Sequence, residues 1–543
     1  MNRSDYDYVI AGAGTAGCVL AGRLTEDPHT RVLLLEAGGP DSDPLIHIPL
    51  GIGKLWTERR HDWGYNTEPE PHLNGRSIEL PRGKVLGGSS SINAMLYVRG
   101  HRGDYDRWAR AGLSGWSYAE ALPYFKRTER WQAGENAWRG GSGPVGTDFT
   151  DPVDPIGDAV LAAARAAGLG NSADYNAEMQ EGFARSQSTV AGGKRASASV
   201  AYLRPAMRRG NLTVRSRALA TRVLMQGNKA VGVEYQHGGG TERANAAREV
   251  LIAGGAINSP QLLMLSGIGD TAQLRGHGIA PAVHLPGVGA NLQDHVFVRA
   301  GYVRKDESPQ RQALRVDRLA LAMLRAHFFG SGPATRLPGA VMGFVRTRPE
   351  CEVPDIQLGF RSIGLEARPW WPGLGPGWQD GFSFLVALLH PESRGRVELA
   401  SADPRQAVRI FTNFLSAAAD ADALVRGMRI AREVARQPAL DRFRGHEILP
   451  GAKAESDAQL LAYIRAVAST FHHVSGTCRM GKDELAVVDA ELKVRGCERL
   501  RVVDASVMPD LVGGNTNACV FMIAERASDL IRGGAPPAPM ASL

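Results

Sequence analysis

The sequence predicts an α/β chain, α+β overall, on three observations. The apolar, partly β-branched run Asp7-Tyr8-Val9-Ile10-Ala11 leads into Gly12-Ala13-Gly14-Thr15-Ala16-Gly17 and then into a helical run from Cys18 to Glu26. Strand–glycine–helix edges of the same kind recur at 248–265 and at 500–532. Between these, from about 300 to 460, the pattern changes to short alternating runs such as Gly381 to Leu389 and Gly395 to Leu399. A Rossmann-like nucleotide domain interrupted by a second domain accounts for all three.

The first unit is the most specific. After a turn at Pro28, Arg31-Val32-Leu33-Leu34-Leu35-Glu36 reads as a buried strand ending in an acid, which completes strand, Gly-x-Gly-x-x-Gly, helix, strand. Gly12 permits the tight turn, Gly14 lets backbone approach a pyrophosphate, and Gly17 lets helix and strand pack closely. The helix N-terminus supplies N–H donors to the anion. Glu36 would accept from ribose hydroxyls and repel a 2′-phosphate, which disfavours NADP. The motif does not separate FAD from NAD.

Farther along, Pro81-Arg82-Gly83-Lys84-Val85-Leu86-Gly87-Gly88-Ser89-Ser90-Ser91-Ile92-Asn93-Ala94 places three serines after a glycine pair. It reads either as a helix cap whose N–H groups face a polar ligand or as a plain turn. Arg248 to Ala253 is a buried strand, followed by Gly254-Gly255-Ala256-Ile257-Asn258-Ser259-Pro260 and a helical run from Gln261 to Leu265, with Asn291-Leu292-Gln293-Asp294-His295 close behind. In the middle block an aromatic Gly/Pro loop runs from Arg368 to Asp380 and an amphipathic helix from Ser416 to Arg436. Trp370, Trp371 and Trp378 read as core or lid packing in preference to an aromatic box for a cationic alcohol. The C-terminal part holds Phe471-His472-His473-Val474-Ser475-Gly476-Thr477-Cys478-Arg479-Met480-Gly481, a strand from Leu500 to Asp504, Gly513-Gly514-Asn515-Thr516-Asn517 opening a helix through Arg532, and a frayed tail from Gly533.

Composition narrows the classes. At 543 residues the chain holds roughly two to four domains, and 43% hydrophobic with 22% charged residues excludes disordered and collagen-like chains. The net charge of +7 comes from interspersed residues without a basic block, which argues against nucleic acid as a partner. Five cysteines without Cys-x-x-Cys suggest neither a disulfide framework nor a thiolate metal site, and the His472-His473 pair lacks a third ligand at useful spacing, so no metal is expected. No run of about 18 apolar residues could span a bilayer. A cytoplasmic protein is expected, with peripheral membrane contact left open.

Taken together, the loop at Gly12, the segments Gly83–Ala94, Gly255–Gly269, His473–Gly481 and Asp504–Ala518 resemble the glucose-methanol-choline (GMC) oxidoreductases. The resemblance runs from Tyr8 to about Ile531 and is greatest to the bacterial choline-, sorbose- and polyethylene-glycol-dehydrogenase-like branch. It implies FAD, a discontinuous FAD-binding domain (1–155, 190–300 and 465–543), and a substrate domain (156–189 and 301–464) whose antiparallel sheet roofs the isoalloxazine. It places cofactor contacts at Gly12, Gly14, Thr15, Ala16, Gly17, Glu36, Ala37, Gly83, Gly88, Ser89, Asn93, Ala94, Val223, Asp504, Ala505, Asn515, Thr516 and Ala518. Some members attach FAD through a histidine in the second motif; Ser91-Ile92-Asn93 offers none, so noncovalent FAD is expected.

His473 matches the family's catalytic histidine, and Asn517 is matched to its second active-site position, which is His or Asn. The expected reaction is oxidation of a primary alcohol to an aldehyde, with hydride passing to flavin N5, His473 as general base near pH 7, and a quinone or other carrier as electron acceptor. Alternatives are an oxygen-using oxidase, a non-redox lyase of the same family and, from another class, a non-catalytic nucleotide-binding protein.

Overall fold

A computed structural model describes residues 6–150, 154–337, 339, 341–374 and 377–540. Positions 375 and 376 of the aromatic loop and 541–543 of the tail fall outside them. The first strand, Tyr6–Ala11, runs parallel to Val32–Glu36 on one side and to the end of Gly240–Ile252 on the other. Leu212–Ser216 and Leu500–Val502 extend the parallel sheet at its two edges. Val32–Glu36 is buried at all five positions, as expected of a strand covered on both faces. The helices Thr15–Leu24 and Asn517–Arg532 cover it and share its core. The front half of Gly240–Ile252 pairs antiparallel with Lys229–His237, and that strand with Leu219–Gln226, a meander the sequence reading did not separate from the strand at 248–253.

The second sheet is antiparallel, in the order Arg444–Leu449, Val296–Arg304, Gly381–Leu388, Ile356–Arg361, Val341–Val345, Gly182–Arg185, with Ser469–Thr470 also on Val296–Arg304. Its two faces differ because side chains alternate along a strand. In Val296–Arg304, the residues Val296, Val298, Ala300 and Tyr302 join a core shared with the helices Ile156–Ala166 and Ala418–Arg436. Phe297 and Arg299 face the opposite way, toward the first sheet.

Two buried ion clusters tie distant segments together. Glu129, fully buried, accepts from Arg99, Arg139 and Thr147. Glu525, also fully buried, takes Arg23, Arg127 and the Tyr202 hydroxyl, joining the first helix to the last across 502 residues. The five cysteines are free. Among the described residues no helix is long and apolar enough to cross a membrane, and no cluster of His, Cys, Asp or Glu is set to hold a metal ion.

Candidate active site

A cleft of about 320 Å³ lies between the carboxyl end of the parallel sheet and the inner face of the antiparallel one. At its first end Gly12 has φ +109°, and a Cβ there would sit 2.4 Å from the Ala253 carbonyl oxygen. A Cβ on Gly17 would sit 1.9 Å from the Gly12 carbonyl oxygen, so this glycine serves helix–strand packing and does not reach the cleft wall. The helix that follows Gly14 has no side-chain cap, which leaves its first N–H groups to an anion. Gly88 crosses the loop so closely that a Cβ would come within 2.7 Å of Gly14 Cα.

Glu36 braces this loop. Its Oε2 accepts from Ala13 N–H at 2.9 Å and its Oε1 from Gly38 N–H at 2.8 Å, leaving further lone pairs toward the cleft. Burial pushes its carboxyl up to about 7. The serine motif forms a 3-10 turn, Gly88–Ser91, and not the cap of a longer helix. Ser90 and Ser91 hydroxyls donate back to the carbonyls of Gly87 and Leu86, so Ser89 alone of the three lines the cleft, where its Oγ accepts from Gly83 N–H. Asp504 is more than a strand end: its carboxylate accepts from Gly255 N–H, the Ser259 hydroxyl and Ser506 N–H, fixing the start of Gly255–Leu265.

Of the expected contacts, Gly12, Gly14, Thr15, Ala16, Glu36, Ala37, Gly83, Gly88, Ser89, Asn93, Ala94, Asp504, Ala505, Asn515, Thr516, Asn517 and His473 all line this one cleft. Gly17, Val223 and Ala518 do not. Val223 N–H donates to the Ser266 hydroxyl and its side chain is in the core, while Ala218, Leu219 and Ala220 of that stretch reach the wall. Ala518 points into the core of the last helix, whose Val520 reaches the cleft instead. The aromatic box does not form here: Trp370 and Trp378 donate to the carbonyls of Arg311 and Arg368, away from the cleft, and Trp371 is exposed.

At the other end stands His473. Its N–H donates to Asp294 Oδ1 at 2.7 Å, its Nδ1 is 2.7 Å from His295 Nδ1, and its Nε2 is 3.0 Å from Asn515 Nδ2. These contacts fix the tautomer by elimination. The Leu389 carbonyl, 3.0 Å from His295 Nε2, can only accept, so that nitrogen carries the proton and His295 Nδ1 is an acceptor. His473 Nδ1 is then the donor, and Nε2, unprotonated at the cleft wall, accepts from the Asn515 amide. Burial, then the neighbouring His295, His472 and Arg82, hold the His473 imidazolium well below its usual range. The base is therefore neutral at pH 7 by desolvation and not because it is poised there.

The amide beside His473 is Asn515. Asn517, expected there, instead accepts from the Thr15 hydroxyl at 2.7 Å and joins the two helices that flank the nucleotide loop. Asn515 Oδ1 is buried without a partner, an open acceptor at the cleft. His472, in the left-handed region at φ +68°, turns its ring edge-on to Trp56. His295 and Asp294 carried no motif that the sequence reading interpreted, although their place directly before an alternating apolar strand marked them as sheet-end residues.

These observations fit FAD: an uncapped helix, glycines where no Cβ could stand, an acid ending the second strand, and a polar acceptor opening on a cleft roofed by a second sheet. The comparisons agree. The family models described as GMC oxidoreductase match residues 6–297 and 391–524. Mouse mitochondrial choline dehydrogenase is 44% identical over 98% of this chain and 90% of its own. The oxygen-dependent choline dehydrogenase of Paraburkholderia phytofirmans is 44% identical over 99% and 96%. A crystal structure of pyridoxine 4-oxidase from Mesorbium loti, 31% identical, superposes with a TM-score of 0.87 over 98% of this chain and all of that one.

Proposed function

The chain belongs to the GMC oxidoreductases and is an FAD-dependent enzyme acting on CH–OH donors, and from that premise we propose that His473 and Asn515 carry the chemistry of a primary-alcohol dehydrogenase. The observation that carries the assignment is the run Leu389 carbonyl, His295, His473, Asn515, which leaves one unprotonated imidazole nitrogen facing the cleft. Bound FAD would supply the acceptor for the hydride that leaves the carbinol carbon. As the alcohol enters, its hydroxyl replaces the Asn515 amide on His473 Nε2, which takes the hydroxyl proton, and the released amide N–H donates to the alkoxide as it forms, adding no titrating group. Asp294 holds the backbone of His473 in place, and Gly12, Gly14, Thr15 and Glu36 hold the adenosine diphosphate end.

Noncovalent FAD is supported by the wall itself: among the described residues His472 and His473 are its only histidines, and no cysteine lines it. Strand membership and packing support the division into segments with three changes: Val296–Arg304 and Ser469–Thr470 both belong to the antiparallel sheet, and Val397, Leu399, Val408 and Ile410, from the segment given to the substrate domain, pack in the core of the first sheet. The reading of an alcohol dehydrogenase that hands electrons to a quinone or other carrier is tested by anaerobic reduction of the bound flavin with primary alcohols, followed by reoxidation. Bleaching by an alcohol with faster reoxidation by a quinone than by oxygen is expected; no bleaching by any alcohol would leave a lyase or a non-catalytic protein.

The two asparagines separate in the same experiment. Asn515→Ala is expected to slow flavin reduction about 10²-fold, the usual size for one lost donor to a developing oxyanion. Asn517→Ala should weaken FAD retention through Thr15 and change the rate of loaded enzyme far less. A larger rate loss at Asn517 would return the catalytic role to it.

A further inference from the structure

The substrate end of the cleft is lined by cations and by no acid. Residues opposite one another in an antiparallel ladder share a face. Arg299 is opposite Leu385, Leu385 is opposite Gly359, and Arg361 lies two positions beyond Gly359 on the same strand. Arg299, Leu385 and Arg361 therefore project from one face of the sheet, and all three line the cleft. Gly359, with no side chain between them, leaves the space beside Leu385 open. Arg82, whose Nη2 donates to the His472 carbonyl, lines the wall nearby and has a buried Nε without a partner.

Neither sheet arginine has a counter-ion. Arg299 lies over the Phe297 ring at 5.6 Å, and the hydrogen bonds and ion pairs of the described residues give neither guanidinium an acceptor. The only carboxylates lining the cleft, Glu36 and Asp504, are held by backbone amides at the nucleotide end. Asp294 is behind His473, taken up by Thr470 and by the His473 N–H. Burial, then the charge of Arg299, brings Arg361 down to about 10, and burial lowers Arg299 as well. Two like charges held together on a half-buried cleft wall are stabilised when a ligand brings the opposite charge.

We infer that Arg299 and Arg361 form an anion subsite in the alcohol pocket, so that the substrate is a primary alcohol bearing a carboxylate at the end remote from its hydroxyl. A planar guanidinium binds a carboxylate through two parallel hydrogen bonds, which fixes orientation as well as charge. The carboxylate takes no part in the bond changes: the hydroxyl proton goes to His473 and the hydride, with its electron pair, to FAD, leaving an aldehyde acid. A quaternary ammonium alcohol would face two like charges in the same place. The inference rests on the alcohol-oxidation reading above.

The test uses FAD-loaded enzyme and three alcohols of similar length: 4-hydroxybutanoate, 3,3-dimethylbutan-1-ol and choline. Under anaerobic conditions the second-order constant for flavin reduction is expected to be at least about tenfold higher for 4-hydroxybutanoate than for the neutral alcohol, the ratio one additional charged hydrogen-bonded contact supplies, with choline lowest. Arg361→Met should collapse that ratio and Arg361→Lys restore part of it. Independently of turnover, butanoate should perturb the absorbance of the oxidised flavin saturably, and more weakly in Arg361→Met. Reduction by the neutral alcohol or choline with no advantage for the anion and no butanoate binding would overturn the inference and leave the alcohol-oxidation reading standing. Butanoate binding without reduction by any of the three would uphold the subsite and overturn that reading.

Discussion

Replacing His473 by alanine is expected to slow flavin reduction about 10²–10⁴-fold while the protein keeps its FAD, the usual range for loss of a positioned general base. The ring touches no residue of the nucleotide loop; its contacts are His295, Asn515, the edge-on Phe471 ring and, through its backbone, Asp294. Removing it should therefore spare cofactor binding. His472→Ala is the control, because that ring lies on Trp56 and its carbonyl, which the substitution keeps, is what Arg82 holds. Stopped-flow reduction of the two variants decides the assignment: equal losses, or a greater loss at His472, would reverse it.

The second large effect is on stability. Glu129→Ala leaves Arg99 and Arg139 buried with their shared counter-ion gone and is expected to cost about 3–5 kcal/mol, the range for breaking a buried ion pair from one side. Arg99 keeps a carbonyl at Trp138, and Arg139 keeps Asp174 and Gln187, so the loss is partial and the variant can be followed by denaturant unfolding. Glu129→Gln, which keeps the shape and one acceptor, should cost less. A loss below about 1 kcal/mol for the alanine variant would mean that the two arginines find water or other acceptors on unfolding no better than in the cavity left behind.

The nucleotide unit was legible in the sequence because each of its requirements is local: a turn only Gly12 can make, a packing contact only Gly17 can allow, an acid ending the second strand. Most positions expected at the cleft do line it for the same reason, whereas much of its wall, including Trp56, Trp63, Phe297 and Leu385, was not foreseen. The choice between Asn515 and Asn517 was not. Two residues apart at a helix start, both satisfy the same pattern, and only the three-dimensional path of His473 decides which amide it meets. Asp294 and His295 were quoted but given no role, since what they do depends on a strand 175 or more residues away. The cationic roof was hidden differently. Arg299 and Arg361 sit on strands separated in sequence, and their convergence is a property of ladder register, which sequence patterning does not reveal.

The pairing of the first helix with the last carries a consequence for how the protein is made. Thr15 meets Asn517, and Arg23 meets Glu525, so the nucleotide loop cannot be completed until almost the whole chain has left the ribosome. At about 5–20 residues per second the first helix waits roughly half a minute to two minutes for the last, with the core face they share still uncovered. During that interval the nascent chain exposes apolar surface of the kind that associates with itself or with a chaperone, and the FAD site is complete only once the helix Asn517–Arg532 has emerged. Slow arrival of the last fifty residues, by rare codons or a truncating stop, would therefore show first as aggregated apoprotein and not as a soluble enzyme of low activity.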